Sequence, residues 1–374
     1  MEKSLTIPVD EFSRMLDVDE VEFLFDIRNE DAFNAWRIEG RSPIETLNIP
    51  QVLFVGEEEK YLDRFPKDRR IVIICPHGDA AKYSAEQLQG YGFDAVAVDG
   101  GIDAWSVYYE IHKVSGSPAI YQIYRTAKGC ISYLVASGNE AAAIDVPRHT
   151  GHVLGLAEKL GVTIRYVLDT HLHADHISGG AELANATSAE YLAHPGDMGG
   201  ASVKYTPVSD GMVLTAGTSS IKAVHTPGHT PGSTSFLLDG RYIFTGDIIM
   251  KKSIGRPDLG GRAEEWAVQL YDTLFGRLAT LPDDTVVLPA HSASISEMDS
   301  KGLVAITLGD ARKYEDLFRI RELGSFIEHV KSNLPENPVR YGEIRKVNLG
   351  VETPDETGRQ ELEIGKNLCG MAKK

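Results

Sequence analysis

Between Thr170 and His176 the chain reads THLHADH, which sets His171, His173, Asp175 and His176 almost side by side. Neutral imidazole nitrogens and carboxylate oxygens are good ligands for zinc and iron. Three further marks follow downstream: His225-Thr226-Pro227-Gly228-His229, Phe244-Thr245-Gly246-Asp247 and Leu288-Pro289-Ala290-His291. Of the 12 histidines in the chain, 6 fall within these four marks. An apolar stretch of strand length precedes Thr170, Asp247 and His291, so the ligands are expected at strand ends. There a rigid sheet holds them while an open surface stays in reach. A histidine-rich surface loop is the bland alternative, and the downstream partners weigh against it.

Cys75 is a second point of chemical interest. It follows the apolar run Ile71–Ile74 and precedes Pro76-His77-Gly78-Asp79 and a helical stretch, Ala80 to Gly90. Loop N–H groups and the positive end of a helix favour the thiolate, the nucleophilic form of cysteine. The alternative is a small buried cysteine. Cys130, at the start of an apolar strand pattern, reads as core or pocket wall, and Cys369, in a Gly/Lys-rich tail, as incidental.

The elements that must position these groups fall into two sets. In the first 112 residues, short apolar strands (Val21–Phe25, Ile71–Ile74, Ala95–Val98) alternate with helical stretches (Asn29–Trp36, Ala80–Gly90). Continuous apolar strands with helical crossovers imply a parallel sheet covered on both faces. Lys113–Pro118 is small, polar and bears Gly and Pro, and reads as a linker. Strand patterns resume at Ala119–Tyr124, Cys130–Val135 and Ala141–Asp145, and residues 119–374 are expected to form a second domain with a helical or extended tail. The net charge of −16 is uneven: residues 1–120 hold 12 basic and 23 acidic residues, the remainder 26 and 31. Such acidity disfavours nucleic acid as a partner. No run of about 18 apolar residues occurs, so no membrane span is expected. The start of the chain lacks a secretory pattern and the three cysteines are scattered, so a cytoplasmic protein without a disulfide framework is expected.

Taken together, Asp26-Ile27-Arg28, Trp36–Gly40, Asn48-Ile49-Pro50, the CPHGDAA loop at 75–81 and GGIDAW at 100–105 resemble the rhodanese domain. The resemblance implies that Cys75 carries sulfane sulfur as a persulfide. The loop holds His77 and Asp79 and no Arg or Lys, so poor use of dianionic thiosulfate is expected. Residues 119 to about 350 resemble the metallo-β-lactamase superfamily through HxHxDH at 171–176, His229, Asp247 and His291, in that order. The expected fold is therefore α/β: a rhodanese-like parallel sheet followed by an αββα sandwich.

In the dinuclear hydrolases of that superfamily, the resemblance gives one metal to His171, His173 and His229. A second goes to Asp175, His176 and His291, with Asp247 bridging. In the persulfide dioxygenase branch it implies a single Fe(II) on His171, His229 and Asp247, with His173, Asp175, His176 and His291 around it. Gly255-Arg256-Pro257-Asp258-Leu259, Leu334-Pro335-Glu336-Asn337-Pro338 and Val347-Asn348 look like the dioxygenase pattern. Arg256 would anchor a substrate anion or hold carboxylates. The expected substrates are O2 and the persulfide of a thiol such as glutathione or coenzyme A, oxidised to sulfite. The carrier stays open, because Ser292-Ala293-Ser294 follows His291 where the glutathione-persulfide enzymes carry Asp-Tyr. One or two zinc ions and thioester hydrolysis, as in glyoxalase II, form the alternative. A homodimer is the default oligomer.

Overall fold

The computed structural model describes residues 4–258, 260–334 and 340–370. Leu259 and the segment 335–339, which holds most of the Leu334–Pro338 motif, lie outside the described residues.

Five strands form the first sheet: β1 (Thr6–Ile7), β2 (Phe23–Asp26), β3 (Glu45–Asn48), β4 (Ile71–Ile74) and β5 (Ala95–Val98), in the order β1-β5-β4-β2-β3 and all parallel. The apolar runs of the three inner strands, β2, β4 and β5, are continuous because these strands are buried on both faces. Phe23, Phe25, Ile71, Ile73, Ala95 and Ala97 pack into one core. Their alternate neighbours Leu24, Val72, Ile74, Val96 and Val98 pack into another, as the two-residue repeat of a strand dictates.

The second sheet runs β12-β11-β10-β9-β8-β7-β6, from β6 (Glu110–Gly116), β7 (Ala119–Arg125), β8 (Cys130–Ser137), β9 (Glu140–Ile144), β10 (Thr163–Leu168), β11 (Glu190–Ala193) and β12 (Thr206–Pro207). The third follows in sequence order, from β13 (Val213–Ala216), β14 (Ser219–His225), β15 (Thr234–Leu238), β16 (Tyr242–Gly246), β17 (Val286–Pro289) to β18 (Ile306–Thr307). Tyr124, Tyr133 and Val135 from one sheet and Phe236, Leu238 and Phe244 from the other share one core. On the outer faces, Val153, Leu156 and Leu183 of two helices cover the second sheet, and Ala267, Leu270, Phe326 and Val330 of two others cover the third. This is the αββα sandwich.

The expected linker 113–118 needs correcting. Lys113, Ser115 and Gly116 belong to edge strand β6, pairing antiparallel with Tyr121, Ile120 and Ala119 of β7. An edge strand buries little of either face, so its polar, small composition imitates a connector. The two units also share a core: Phe12, Trp36 and Trp105 belong to the same buried cluster as Tyr124 and Ala127. Polar contacts fasten the joint, with Trp36 Nε1 donating to the Ala127 carbonyl (3.2 Å) and Arg125 Nε to the Ser106 carbonyl (2.6 Å). Among the described residues, no helix is long and apolar enough to cross a membrane.

Candidate metal centre

The four sequence marks converge at one end of the sandwich. β10 runs out at Leu168 and the chain turns through Asp169 and Thr170 into His171. β16 ends at Gly246, where φ is +56° and a Cβ would stand 2.4 Å from Thr170 Oγ1. Only glycine lets these two strand ends close on each other. β17 ends just before His291, and His229 sits on the loop between β14 and β15. All of His171, His173, Asp175, His176, His229, Asp247 and His291 are buried.

Within this cluster the ring nitrogens are differentiated. His229 Nδ1 lies 2.8 Å from the Arg256 carbonyl and so carries the proton, which leaves Nε2 a lone pair 3.4 Å from Asp247 Oδ2. His171 Nδ1 lies 2.9 Å from Thr170 Oγ1, and its Nε2 stands 3.6 Å from the same Asp247 oxygen. His171, His229 and Asp247 thus each offer one donor atom, all within 4.8 Å of one another. His171 Nε2 and Asp247 Oδ2 are buried without a hydrogen-bond partner, as are His173 Nδ1 and His176 Nε2. Each such orphan costs about 1–3 kcal/mol, and a cation beside His171 Nε2 and Asp247 Oδ2 would satisfy those two at once. The residues therefore fit a metal ion.

The rest of the set is held together by its own contacts. His291 Nδ1 lies 2.6 Å from Asp247 Oδ1 and its Nε2 3.0 Å from Asp175 Oδ2. Burial works against the His291 imidazolium, but the two carboxylates outweigh it and hold its pKa well above the ordinary range. His176 Nδ1 lies 3.1 Å from Asp175 Oδ1 and 3.6 Å from Cys130 Sγ. Burial lowers the pKa of His176, yet Cys130 and Asp175 carry it up to about 10. Burial likewise raises the Cys130 thiol, but the charge on His176 outweighs that and leaves it at about 7. Burial and the neighbouring His173 push His171 well below the usual imidazole range, the state a metal ligand needs.

Further groups support these side chains. Asp145, at a φ of +53°, accepts from Thr170 N (2.7 Å) and touches His173 Nε2 (3.1 Å), so it orients both ends of the His171–His173 turn. Asn348 donates from Nδ2 to the carbonyls of His173 and His176, both at 2.9 Å, which explains why Val347-Asn348 belongs to the motif set. Cys369 is fully buried and lies with Asp247 and His291 in one group of metal-capable atoms, so its reading as an incidental tail residue is corrected. The tail reaches the site because Arg256 N donates to the Cys369 carbonyl (2.9 Å). The local sequence around Cys369 carries no strand or helix pattern, so nothing short-range announced that docking.

Arg256 is paired with a neighbouring carboxylate. Its Nε and Nη2 each donate to Asp258 at 2.7 Å in a fully buried fork. His225 turns away, with its ring stacked on His194 and Nε2 facing the Pro231 carbonyl. Cys75 lies apart from the metal cluster, in the first domain. Its Sγ accepts from Gly78 N (3.1 Å) and Ala81 N (3.3 Å) at the start of the helix Asp79–Gly90. His77, beside it, is exposed and paired with Asp103 at 2.6 Å.

Comparison with known proteins agrees with both halves of this geometry. Residues 8–107 match the family model described as Rhodanese-like domain, and residues 125–291 that of the Metallo-beta-lactamase superfamily. The chain is 32% identical over 232 residues to a hydroxyacylglutathione hydrolase of Rhodobacter capsulatus, covering 61% of this chain and 84% of that one. It is 28% identical over 256 residues to the mitochondrial persulfide dioxygenase ETHE1 of Bos taurus, covering 65% and 93%. The crystal structure of ETHE1 from Myxococcus xanthus superposes with a TM-score of 0.53 at 27% identity, covering 62% of this chain and 99% of that one. Of another matched hydrolase, from Anaeromyxobacter dehalogenans, the chain spans 65% of the length. The chain belongs to the metallo-β-lactamase superfamily. It carries in front of that domain a rhodanese-like one, and its relatives include persulfide dioxygenases.

Proposed function

We propose that this protein is a persulfide dioxygenase joined to a sulfurtransferase. It oxidises the sulfane sulfur of a low-molecular-weight thiol persulfide to sulfite with O2, and Cys75 carries sulfane sulfur in the first domain. His171, His229 and Asp247 would hold one Fe(II), the two-imidazole, one-carboxylate set of non-haem iron oxygenases. Such an iron supplies open coordination positions for a persulfide and for dioxygen. Net turnover is R–S–SH + O2 + H2O giving R–SH and sulfurous acid.

The observation that carries this reading is the division of labour within the cluster. Three donor atoms from His171, His229 and Asp247 face one another, while Asp175, His291 and the second oxygen of Asp247 are joined in a chain of contacts. In that arrangement Asp175 and His291 orient the iron-binding carboxylate, and Asp145 and Asn348 fix the His171–His176 turn. Burial of every ligand excludes bulk water from the reacting sulfur. The fusion itself supports the reading, since a sulfane-sulfur carrier in the same chain raises its local concentration at the consumer.

A second reading, a dinuclear zinc thioester hydrolase, draws support from the unpartnered His173 Nδ1 and His176 Nε2 and from the hydrolase relatives. The discriminating experiment is anaerobic purification followed by parallel assays. Stoichiometric oxygen uptake and sulfite release on glutathione persulfide or coenzyme A persulfide supports the dioxygenase. Thioester cleavage without oxygen uptake supports the hydrolase and sinks the first reading.

A further inference from the structure

We infer that Asp197 is a positioning residue for the metal centre: it fixes the spacing between the two loops that carry His171 and His229. The inference rests on the centre itself and is indifferent to the reaction proposed for it, since both readings place a metal on these two imidazoles.

β11 lies beside β10, the strand that runs out toward His171, and pairs with it in parallel. It ends at Ala193, and His194-Pro195-Gly196-Asp197 makes a tight turn closed by Asp197 N donating to the His194 carbonyl (3.1 Å). The turn brings the Asp197 side chain back onto the ligand loops, where it is buried. Its Oδ2 accepts from Leu172 N (3.0 Å), between His171 and His173, and from Thr230 Oγ1 (2.6 Å), next to His229. Its Oδ1 accepts from Gly232 N (2.7 Å). One carboxylate thus joins the two loops through three bonds.

The neighbours are shaped to this contact. A Cβ on Gly232 would stand 2.5 Å from Asp197 Cγ, so the His229 loop comes this close only because position 232 has none. Thr230 is oriented in turn: its hydroxyl donates to Asp197 and so accepts from Ser233 Oγ (2.8 Å). His225, the last residue of β14, stacks on His194 with ring centroids 4.2 Å apart and planes within 8°. Its Nε2 donates to the Pro231 carbonyl (2.9 Å). The stack spans the same gap, because His194 belongs to the Asp197 turn and Pro231 to the His229 loop.

A metal needs the two imidazoles at one separation. His171 Nε2 and His229 Nε2 approach Asp247 Oδ2 at 3.6 and 3.4 Å from loops that lie outside the strands. A backbone bond, Thr234 N to the Thr170 carbonyl (2.7 Å), joins these loops at the sheet. Asp197 joins them beside the ligands themselves. The tie is made by protein groups alone, so less conformational freedom is lost when the metal binds.

The test uses Asp197→Asn, which sets an amide NH2 against groups that themselves donate, and Thr230→Val, which removes one hydroxyl at nearly constant size. Thr230→Ser keeps the hydroxyl. Leu183→Ala, under the helix that covers the second sheet, lowers stability away from the clamp. Co(II) is the probe: affinity is read by competition with a chelator and geometry from visible absorption, with melting curves of the metal-free protein alongside. Asp197→Asn and Thr230→Val should each bind Co(II) at least about tenfold more weakly, with altered absorption bands, while Thr230→Ser stays near the wild type. Leu183→Ala should melt earlier yet bind Co(II) as the wild type does. Unchanged affinity and bands in Asp197→Asn and Thr230→Val would overturn the clamp and leave Asp197 a residue of the fold alone. A loss in Leu183→Ala as large as theirs would overturn it too, as would a loss in Thr230→Ser equal to that in Thr230→Val. Wild-type protein that binds no Co(II) would remove the metal centre and the clamp together. The expected order of affinities in a protein that takes up no oxygen on any persulfide would remove the dioxygenase reading and leave the clamp standing.

Discussion

Asp247 uses its two oxygens differently, and that difference sets the expectations for single residues. One oxygen contacts His291 Nδ1 at 2.6 Å, and the other is left for the cation with His171 and His229. Asp247→Asn and His171→Ala should each lose bound metal and at least about a hundredfold in turnover, read by elemental analysis and oxygen uptake. His176→Ala should keep its metal, because His176 stands outside the three-donor group; metal loss there would favour the dinuclear reading. Asp258→Ala should be costly without touching the metal, since it strips a buried guanidinium of its carboxylate. A loss of about 3–5 kcal/mol, a melting temperature lower by on the order of 10 °C, is expected from calorimetric scans. The clustering of these imidazoles and carboxylates was legible in the sequence because such groups gathered at strand ends have little other use. Cys369 and Asp145 were not, since no local pattern ties either to the site; Asn348 was legible only as part of a motif, and its bonds to the His173 and His176 carbonyls were not.

At the scale of elements, the centre depends on strand ends meeting at close quarters. Gly246 closes β16 onto Thr170, with room for no Cβ. Gly246→Ala should therefore part the two strand ends, lowering stability and metal occupancy together, whereas a general loss of stability alone would leave the occupancy of the folded fraction intact. Strand alternation made the parallel sheet and most element bounds readable. The helix expected at Ala80–Gly90 starts one residue earlier, at Asp79, and the strand expected at Ala119–Tyr124 runs on to Arg125. Edge strand β6 was misread as a linker because exposure strips an edge strand of its apolar signature.

For the whole molecule, the C-terminal segment folds back onto the second domain beside the metal cluster. Glu363 is buried against Arg125 and Arg148, both at 3.0 Å, and accepts from Ile177 N. Burial raises its pKa, but Arg125, Lys128 and Arg148 outweigh that and hold the carboxyl well below its usual range. The folded state thus binds that proton less readily than the unfolded chain. Its contribution is complete above the ordinary carboxylate pKa of about 4.3 and is lost as pH falls toward the folded value. His149 acts in the same direction: burial, then Arg125 and Arg148, lower it from 6.5 to about 4, so its contribution is full above 6.5 and is lost as pH falls toward 4. Stability of the wild type should fall steadily from near neutrality into acid. Glu363→Gln should start lower at pH 7 and fall less steeply below pH 5, as read by chemical denaturation at several pH values. None of this joint was legible in the sequence, because Glu363 lies 186 to 238 residues from its partners Ile177, Arg148 and Arg125.

Metal stoichiometry under native mass spectrometry, after anaerobic purification and loading with excess Fe(II), tests the central claim most directly. One iron per chain, lost in Asp247→Asn and retained in His176→Ala, is the result the three-donor centre predicts. Two metal ions per chain in the wild type, both lost together on removing His176, would contradict it.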